Sequence, residues 1–312
     1  MAVAEPGVLW MHTDRRDSLE DVADGLGARH NEPMARHTTL RIGGPADWFL
    51  EASNCEDIVV ASIVMRSRGL TMTMIGNGSN LLVSDKGIRG LVVKPSGSLA
   101  NITDHGGGTL HVGAGVKLLE LARHFRDAGI GGLEWAFGVP GYLGGSLFMN
   151  AGTPQGEIQD VVESVIVIGR SGRQQEIPRA ECGFGYRSSR FQRTHEVIVG
   201  AIIQMGGKPY DARLAQDLMD RRKATQPLTL PNCGSIFSNP PGQHAGKLIE
   251  DCGLKGKIFG GAQVSPQHSN FIVNLGRASA HDVRTLITIC ADEVRKRFGV
   301  ELKCEVRMCG EW

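Results

Sequence analysis

Ile75-Gly76-Asn77-Gly78-Ser79-Asn80-Leu81-Leu82 and, further on, Phe137-Gly138-Val139-Pro140-Gly141-Tyr142-Leu143-Gly144-Gly145-Ser146 are the two stretches that decide the fold of this 312-residue chain. Each follows an apolar segment and interleaves glycine with Asn or Ser. Glycine lacks Cβ, reaches φ > 0 and lets successive backbone N–H groups converge on one ligand oxygen. Concavities of that kind suit a phosphate or pyrophosphate. The chain has 42 glycines, about 13% against a usual ~7%, and residues 106–152 hold 13 of them. Two standard nucleotide motifs do not account for the pattern. After Gly76-x-Gly78 comes Leu81 where the dinucleotide fingerprint has glycine, with no acidic ribose partner at the expected distance. No Gly-Lys-Ser/Thr element of a P-loop occurs either.

Outward from these loops, the apolar pattern predicts a helix from Cys55 to Arg68 and a strand over Thr71–Ile75, a β-α-β opening. Strands follow at Leu91–Lys94, Leu110–Val112, Val161–Ile168, Gln174–Ile177 and Val197–Gln204, interrupted by a helix from Lys117 to Ala128. Composition shifts at Gly206-Gly207-Lys208-Pro209. Beyond it the pattern predicts helices over 211–224 and 243–252, and strands over 235–237 and 271–273. Val283, Leu286, Ile287, Cys290, Val294 and Phe298 mark one face of a long helix over 280–298, and a final strand is expected over 301–307. The fold class read from this is α+β. The division is an N-terminal extension over 1–30, poorly ordered, a two-part cofactor domain over 31–95 and 96–207, and a substrate domain over 208–312.

Composition excludes several classes. Charged residues make up 21% and the net charge is +1, which argues against bulk nucleic-acid or membrane-surface binding. No apolar run approaches the ~20 residues that span a bilayer, and the N-terminus has no signal-peptide core. Seven cysteines without a C-x-x-C pair and ten histidines without close spacing point to reduced thiols, a cytoplasmic setting and no metal.

The chain resembles the UDP-N-acetylenolpyruvoylglucosamine reductase family through ordered blocks. These are Thr38-Thr39-Leu40-Arg41-Ile42-Gly43-Gly44, the two glycine stretches, Phe184-Gly185-Tyr186-Arg187-Ser188-Ser189-Arg190-Phe191, and Cys233-Gly234-Ser235-Ile236-Phe237-Ser238-Asn239-Pro240. Ala245-Gly246-Lys247-Leu248-Ile249-Glu250, His268-Ser269-Asn270-Phe271-Ile272-Val273-Asn274 and Glu305-Val306-Arg307 complete the series. The resemblance implies a two-part FAD-binding fold of the vanillyl-alcohol-oxidase/PCMH type with a smaller α+β substrate domain. It implies a monomer that takes hydride from NADPH onto FAD and delivers it to the enolpyruvyl ether of a nucleotide sugar in peptidoglycan precursor synthesis. The alternatives are an FAD-linked oxidase of the same fold and a non-catalytic flavin- or nucleotide-sugar-binding protein. The short stretch from Phe191 to Val197 is similar to the branch lacking an inserted loop over the substrate.

Residue by residue, the resemblance implies catalysis by Arg187, Ser235 and Glu305. Hydride addition to the enolpyruvyl β-carbon leaves negative charge on the α-carbon and carboxylate, which calls for a cation and an acid. Arg187 is expected at the carboxylate, Ser235 as proton donor, and Glu305 orienting or protonating the intermediate. FAD is expected to contact Gly76, Asn77, Gly78, Ser79, Asn80 and Leu81 in the first loop. In the second loop it is expected at Gly138, Val139, Pro140, Gly141, Gly144, Gly145 and Ser146, with Asn150 and Arg222 in addition. Tyr186, Asn239, Lys247 and His268 are expected at the substrate, although His268 reads equally as a strand-capping residue. Trp135, Phe137 and Phe148 read as core or as flavin wall. Ser238 stands where the family often has lysine, and Lys247 or Arg222 is expected to supply that charge. Cys233, beside the expected acid, is a candidate oxidant-sensitive thiol.

Overall fold

A computed structural model describes residues 23–312. The expected extension over residues 1–22 lies outside the described residues. Residues 23–30 differ from that expectation, because Ala23 and Ala28 are buried and the strand Arg29–Pro33 begins there, antiparallel to Pro45–Ala52.

The first sheet runs in the order Arg29–Pro33, Pro45–Ala52, Ile88–Pro95, Met72–Met74. Its last three strands are parallel, as a β-α-β crossover through the helix Cys55–Ser67 requires. Asn54 caps that helix by accepting from the Asp57 N–H. The second sheet is antiparallel, ordered Gln174–Pro178, Val162–Ile168, Val197–Gln204, Thr109–Gly113, Ile102–Asp104. The strand Val162–Ile168 is nearly all apolar because both its faces are covered. Val165 and Val167 pack with the helix Leu118–Asp127, while Ile166 and Ile168 pack with Leu50, Ile58 and Leu91 below the first sheet.

The third sheet, Asn232–Ser235, Phe271–Asn274, Ala262–Val264, Ile258–Phe259, is backed by the helices Ala245–Asp251 and Ala280–Phe298. Leu40, Ile42 and Leu82, from the far side of the molecule in sequence, complete this core. The long helix buries Val283, Leu286, Ile287, Cys290 and Val294 as its spacing predicts. Phe298, at the last turn, is exposed and lies against the Arg297 guanidinium.

Three expectations are corrected. The final strand is Arg307–Cys309, parallel to Leu81–Val83, whereas residues 301–306 are irregular. Their polar groups go elsewhere: Glu305 N–H donates to Ile236 O and its carbonyl accepts from Asn80 Nδ2. The strand expected over 235–237 is Asn232–Ser235, with Gly234 at φ 79 interrupting its register. Inside the second glycine stretch, Leu143–Met149 is a helix rather than loop. Its Gly144 tolerates a close approach, since a Cβ there would sit 3.0 Å from Ala114 Cβ.

The third sheet's long helix is tied back to the first half of the chain by Asp85, whose two carboxylate oxygens accept from Ala280 N (2.8 Å) and His281 N (3.0 Å). Ser279 and Asp282 close a capping box at the same end. Asp85→Ala is expected to lower the unfolding free energy by about 1–2 kcal/mol, read as a reduced urea midpoint.

Candidate active site

The two glycine stretches meet in space. Ser79 Oγ donates to Pro140 O (2.9 Å), and together the loops wall one side of a cavity of about 1250 Å³. Small-ligand sites occupy roughly 300–1,000 Å³, so this cavity has room for more than one small ligand. Gly76–Leu81 and Gly138, Val139, Pro140, Gly141, Gly144, Gly145 and Ser146 all line it, as do Arg222, Asn239, His268 and the three expected catalytic residues.

Arg187 and Glu305 face each other, Nε to Oε1, at 2.8 Å. Arg187 has φ 52, a left-handed conformation costing a residue with Cβ about 1–2 kcal/mol. It is held there by its surroundings. Gly185 and Ser188 exchange backbone hydrogen bonds around it, Arg187 Nη2 donates to Gly152 O (2.9 Å), and Gln192 Nε2 donates to Arg187 O (3.0 Å). Glu305 is fixed through its backbone by Asn80 and Ile236. Burial pushes its carboxyl above the ordinary glutamate value, and the Arg187 guanidinium opposes that shift without cancelling it. Ser235 lines the same cavity, and its Oγ has no hydrogen-bond partner among the described residues.

Three expected site residues lie elsewhere. Asn150 is fully buried, at φ 45 as the cap of its helix, and its Nδ2 donates to Glu157 Oε2 (2.8 Å) and Gly185 O (3.0 Å). It supports the Arg187 turn from behind and does not line the cavity. Lys247 points to solvent and pairs with Asp251 at 2.6 Å, one turn along its own helix, so it does not line the cavity and is not placed to replace the absent lysine at Ser238. Tyr186 is 57% exposed, its ring 5.2 Å from the Arg187 guanidinium, outside the cavity wall.

Other residues take on two duties. Asn239 spends Oδ1 on the Ala245 N–H (3.0 Å), leaving its Nδ2 free to donate. His268 Nδ1 accepts from Asn270 N (3.2 Å) while the ring lines the cavity. Burial lowers its pKa, so the neutral ring carries its proton on Nε2. Trp135 is core, donating to Gly132 O (3.2 Å) at the cavity's edge, and Phe148 lies under Arg307. Cys233 is buried, and desolvation pushes its thiol up to about 12. That holds it as a thiol, against oxidant sensitivity.

The wall fits an anionic dinucleotide. Its three carboxylates are engaged: Glu134 by the Gly132 and Asp211 N–H groups, Glu196 by Arg190, and Glu305 by Arg187. Arg41, Arg221, Arg222 and Arg307 line it with no carboxylate partner among the described residues. Arg222 Nε and Gln226 Oε1 are buried there with no hydrogen-bond partner among the described residues. Orphaned buried groups of this kind call for a ligand or ordered water. The arginines 41 and 307 and the segment 228–231, all in the wall, were not singled out from sequence. Arg41 and Arg307 stand inside quoted blocks, but nothing in their spacing marks them as cavity-facing. Among the described residues no acidic, histidine and cysteine cluster is arranged for a metal, and no helix is long and apolar enough to cross a membrane.

Fold and cavity together define a flavin-dependent oxidoreductase: residues 46–177 match the FAD binding domain family. Residues 226–309 match the C-terminal domain of UDP-N-acetylenolpyruvoylglucosamine reductase. The chain is 44% identical over 286 residues to UDP-N-acetylenolpyruvoylglucosamine reductase 2 of Symbiobacterium thermophilum, covering 90% of this chain and 92% of the relative. It is 42% identical over 305 residues to the reductase of Desulforamulus reducens, covering 96% and 99%. The crystal structure of the Thermus caldophilus reductase superposes with a TM-score of 0.76 at 35% identity, covering 90% of this chain and 99% of that one. The chain belongs to the UDP-N-acetylenolpyruvoylglucosamine reductase family. Residues 193–196 alone connect the turn Arg190–Gln192 to the strand Val197–Gln204.

The raised value of Glu305 carries a stability signature. A carboxyl whose folded pKa exceeds its unfolded one contributes stability fully present below the unfolded value and lost as pH rises through the folded one. The thermal midpoint of the wild type is therefore expected to fall relative to Glu305→Gln as pH rises through that window. Calorimetry at a series of pH values reads this directly, and a constant difference would contradict it.

Proposed function

We propose that the protein uses NADPH, through FAD, to reduce the enolpyruvyl ether of UDP-N-acetylglucosamine enolpyruvate to UDP-N-acetylmuramate in peptidoglycan precursor synthesis. The observation that carries this reading is the convergence of Arg187, Glu305 and Ser235 on one cavity walled by the two glycine loops. FAD, when bound, supplies the hydride. Gly76–Asn80, the segment Gly138–Ser146 and Arg222 would hold it, and residues 31–207 would form its domain, with residues 208–312 carrying the nucleotide sugar.

Addition of hydride to the β-carbon of the enolpyruvyl group places negative charge on the α-carbon and its carboxylate. Arg187 offers that carboxylate the permanently charged guanidinium N–H groups not spent on Glu305 and Gly152, a role a lysine would fill less well. Its strained backbone is the kind of outlier found at sites where one orientation is required. Ser235 Oγ, unpartnered among the described residues, is the group free to give a proton to the α-carbon. Glu305, held against Arg187 and pushed toward its protonated form by burial, orients the charge and backs the proton transfer. Asn239 Nδ2 and His268 Nε2 offer donors to the sugar nucleotide.

The purified protein is expected to be yellow and to oxidise NADPH only when the enolpyruvyl nucleotide sugar is supplied. Ser235→Ala should keep the flavin spectrum and lose roughly two orders of magnitude in turnover. A colourless protein that cannot be reconstituted with FAD, or an unchanged rate in Ser235→Ala, would overturn the proposal.

A further inference from the structure

The turn that holds Arg41 has a strained backbone that the chemistry above does not use. Arg41 lies at φ 56, in the left-handed region that residues with Cβ adopt only at a cost. The turn is over-determined around it. Thr38 Oγ1 donates to Ile42 O (2.8 Å) and accepts from Ile42 N (3.2 Å), and Arg41 N donates to Thr38 O (3.1 Å). Leu40 and Ile42 on either side are buried in the core of the third sheet, which leaves the Arg41 side chain directed to the cavity it lines. Thr39 N donates to Gly78 O (3.2 Å) and Thr39 Oγ1 to Asn232 O (2.7 Å). Arg41 is thereby set between the first glycine loop and the strand that carries Ser235. No carboxylate among the described residues pairs with it.

Glycine would occupy this backbone without strain, as Gly78 and Gly234 do nearby. An arginine kept in such a conformation, at a cavity wall and without a carboxylate partner among the described residues, is strain retained for a ligand. A planar guanidinium matches two phosphate oxygens at once.

We propose that Arg41 is a diphosphate-binding residue, gripping a nucleotide diphosphate at the junction of the glycine loop and the third sheet. The inference rests on the functional reading above, which places two diphosphates in this cavity, one in FAD and one in the nucleotide sugar.

The test compares wild type, Arg41→Gly and Arg41→Lys. Apoprotein is titrated with FAD and with riboflavin, which has no phosphate, and FAD-loaded protein is titrated with UDP. Arg41→Gly relieves strain and is expected to raise the thermal midpoint of the apoprotein, yet to weaken binding of FAD or of UDP about tenfold or more. Riboflavin binding should be the same in both. Arg41→Lys keeps the strain and the charge, so it should retain the native midpoint with intermediate affinity. A loss confined to FAD puts the guanidinium on the cofactor, and a loss confined to UDP puts it on the nucleotide sugar; either supports the proposal. Undiminished binding of both by Arg41→Gly, or an equal loss for riboflavin, would overturn it. A wild type that takes up neither FAD nor UDP would overturn the functional reading as well, so the two failures are told apart.

Discussion

The contact between Arg187 and Glu305 joins parts of the chain that no sheet connects, and the site is arranged around it. Arg187 belongs to a turn packed on the second sheet and shaped by Asn150, Gly152 and Gln192. Glu305 belongs to an irregular segment pinned by Asn80 and Ile236. Burial penalises both charges, and their mutual attraction offsets that penalty only while the geometry is held. The surrounding hydrogen bonds keep that geometry in place. Removing either partner leaves a lone charge in a desolvated wall, a change of about 3–5 kcal/mol in buried pairs.

The glycines divide into distinct physical roles once the structure is known. At Gly78 a Cβ would lie 2.1 Å from His37 O, so glycine there permits two backbones to touch. At Gly138 the obstacle would be Arg222, with Cδ at 2.6 Å. Glycine at that point leaves room for the Arg222 side chain to pass along the loop. Gly145 has open space where its Cβ would point, which matches a surface left clear for a ligand. One compositional excess therefore serves backbone contact, side-chain passage and ligand approach.

Much of the architecture was legible because its signals are periodic. The strand Val197–Gln204 and the helix Ala280–Phe298 stand where their patterns put them. The helix Leu143–Met149 was hidden because glycine is a poor helix former, and here tertiary packing against Ala114 overrides propensity. The segment before Arg307 alternates like a strand, yet its hydrogen bonds go to Ile236 and Asn80, partners far away in sequence. Of the site, Arg187, Ser235, Glu305 and most of the glycine loops line one cavity. Asn150, Tyr186 and Lys247 do not line the cavity, because a motif records that a residue recurs and not whether its side chain faces a ligand or its own scaffold. Asn150 shows this most clearly, since its two donated bonds shape the Arg187 turn from outside the cavity.

The hydrogen bond from Asn80 to the Glu305 carbonyl spans 225 residues, and the parallel pairing of Leu81–Val83 with Arg307–Cys309 follows at once in both segments. A chain emerging from the ribosome exposes its first glycine loop long before the segment that completes it. Loop-closure entropy for so distant a contact is met late in folding. During synthesis, then, the first two sheets, built from residues 29–204, have their strands in hand while the segment around Glu305 is still untranslated. The first glycine loop therefore waits for the last strand of the chain before its own edge is paired.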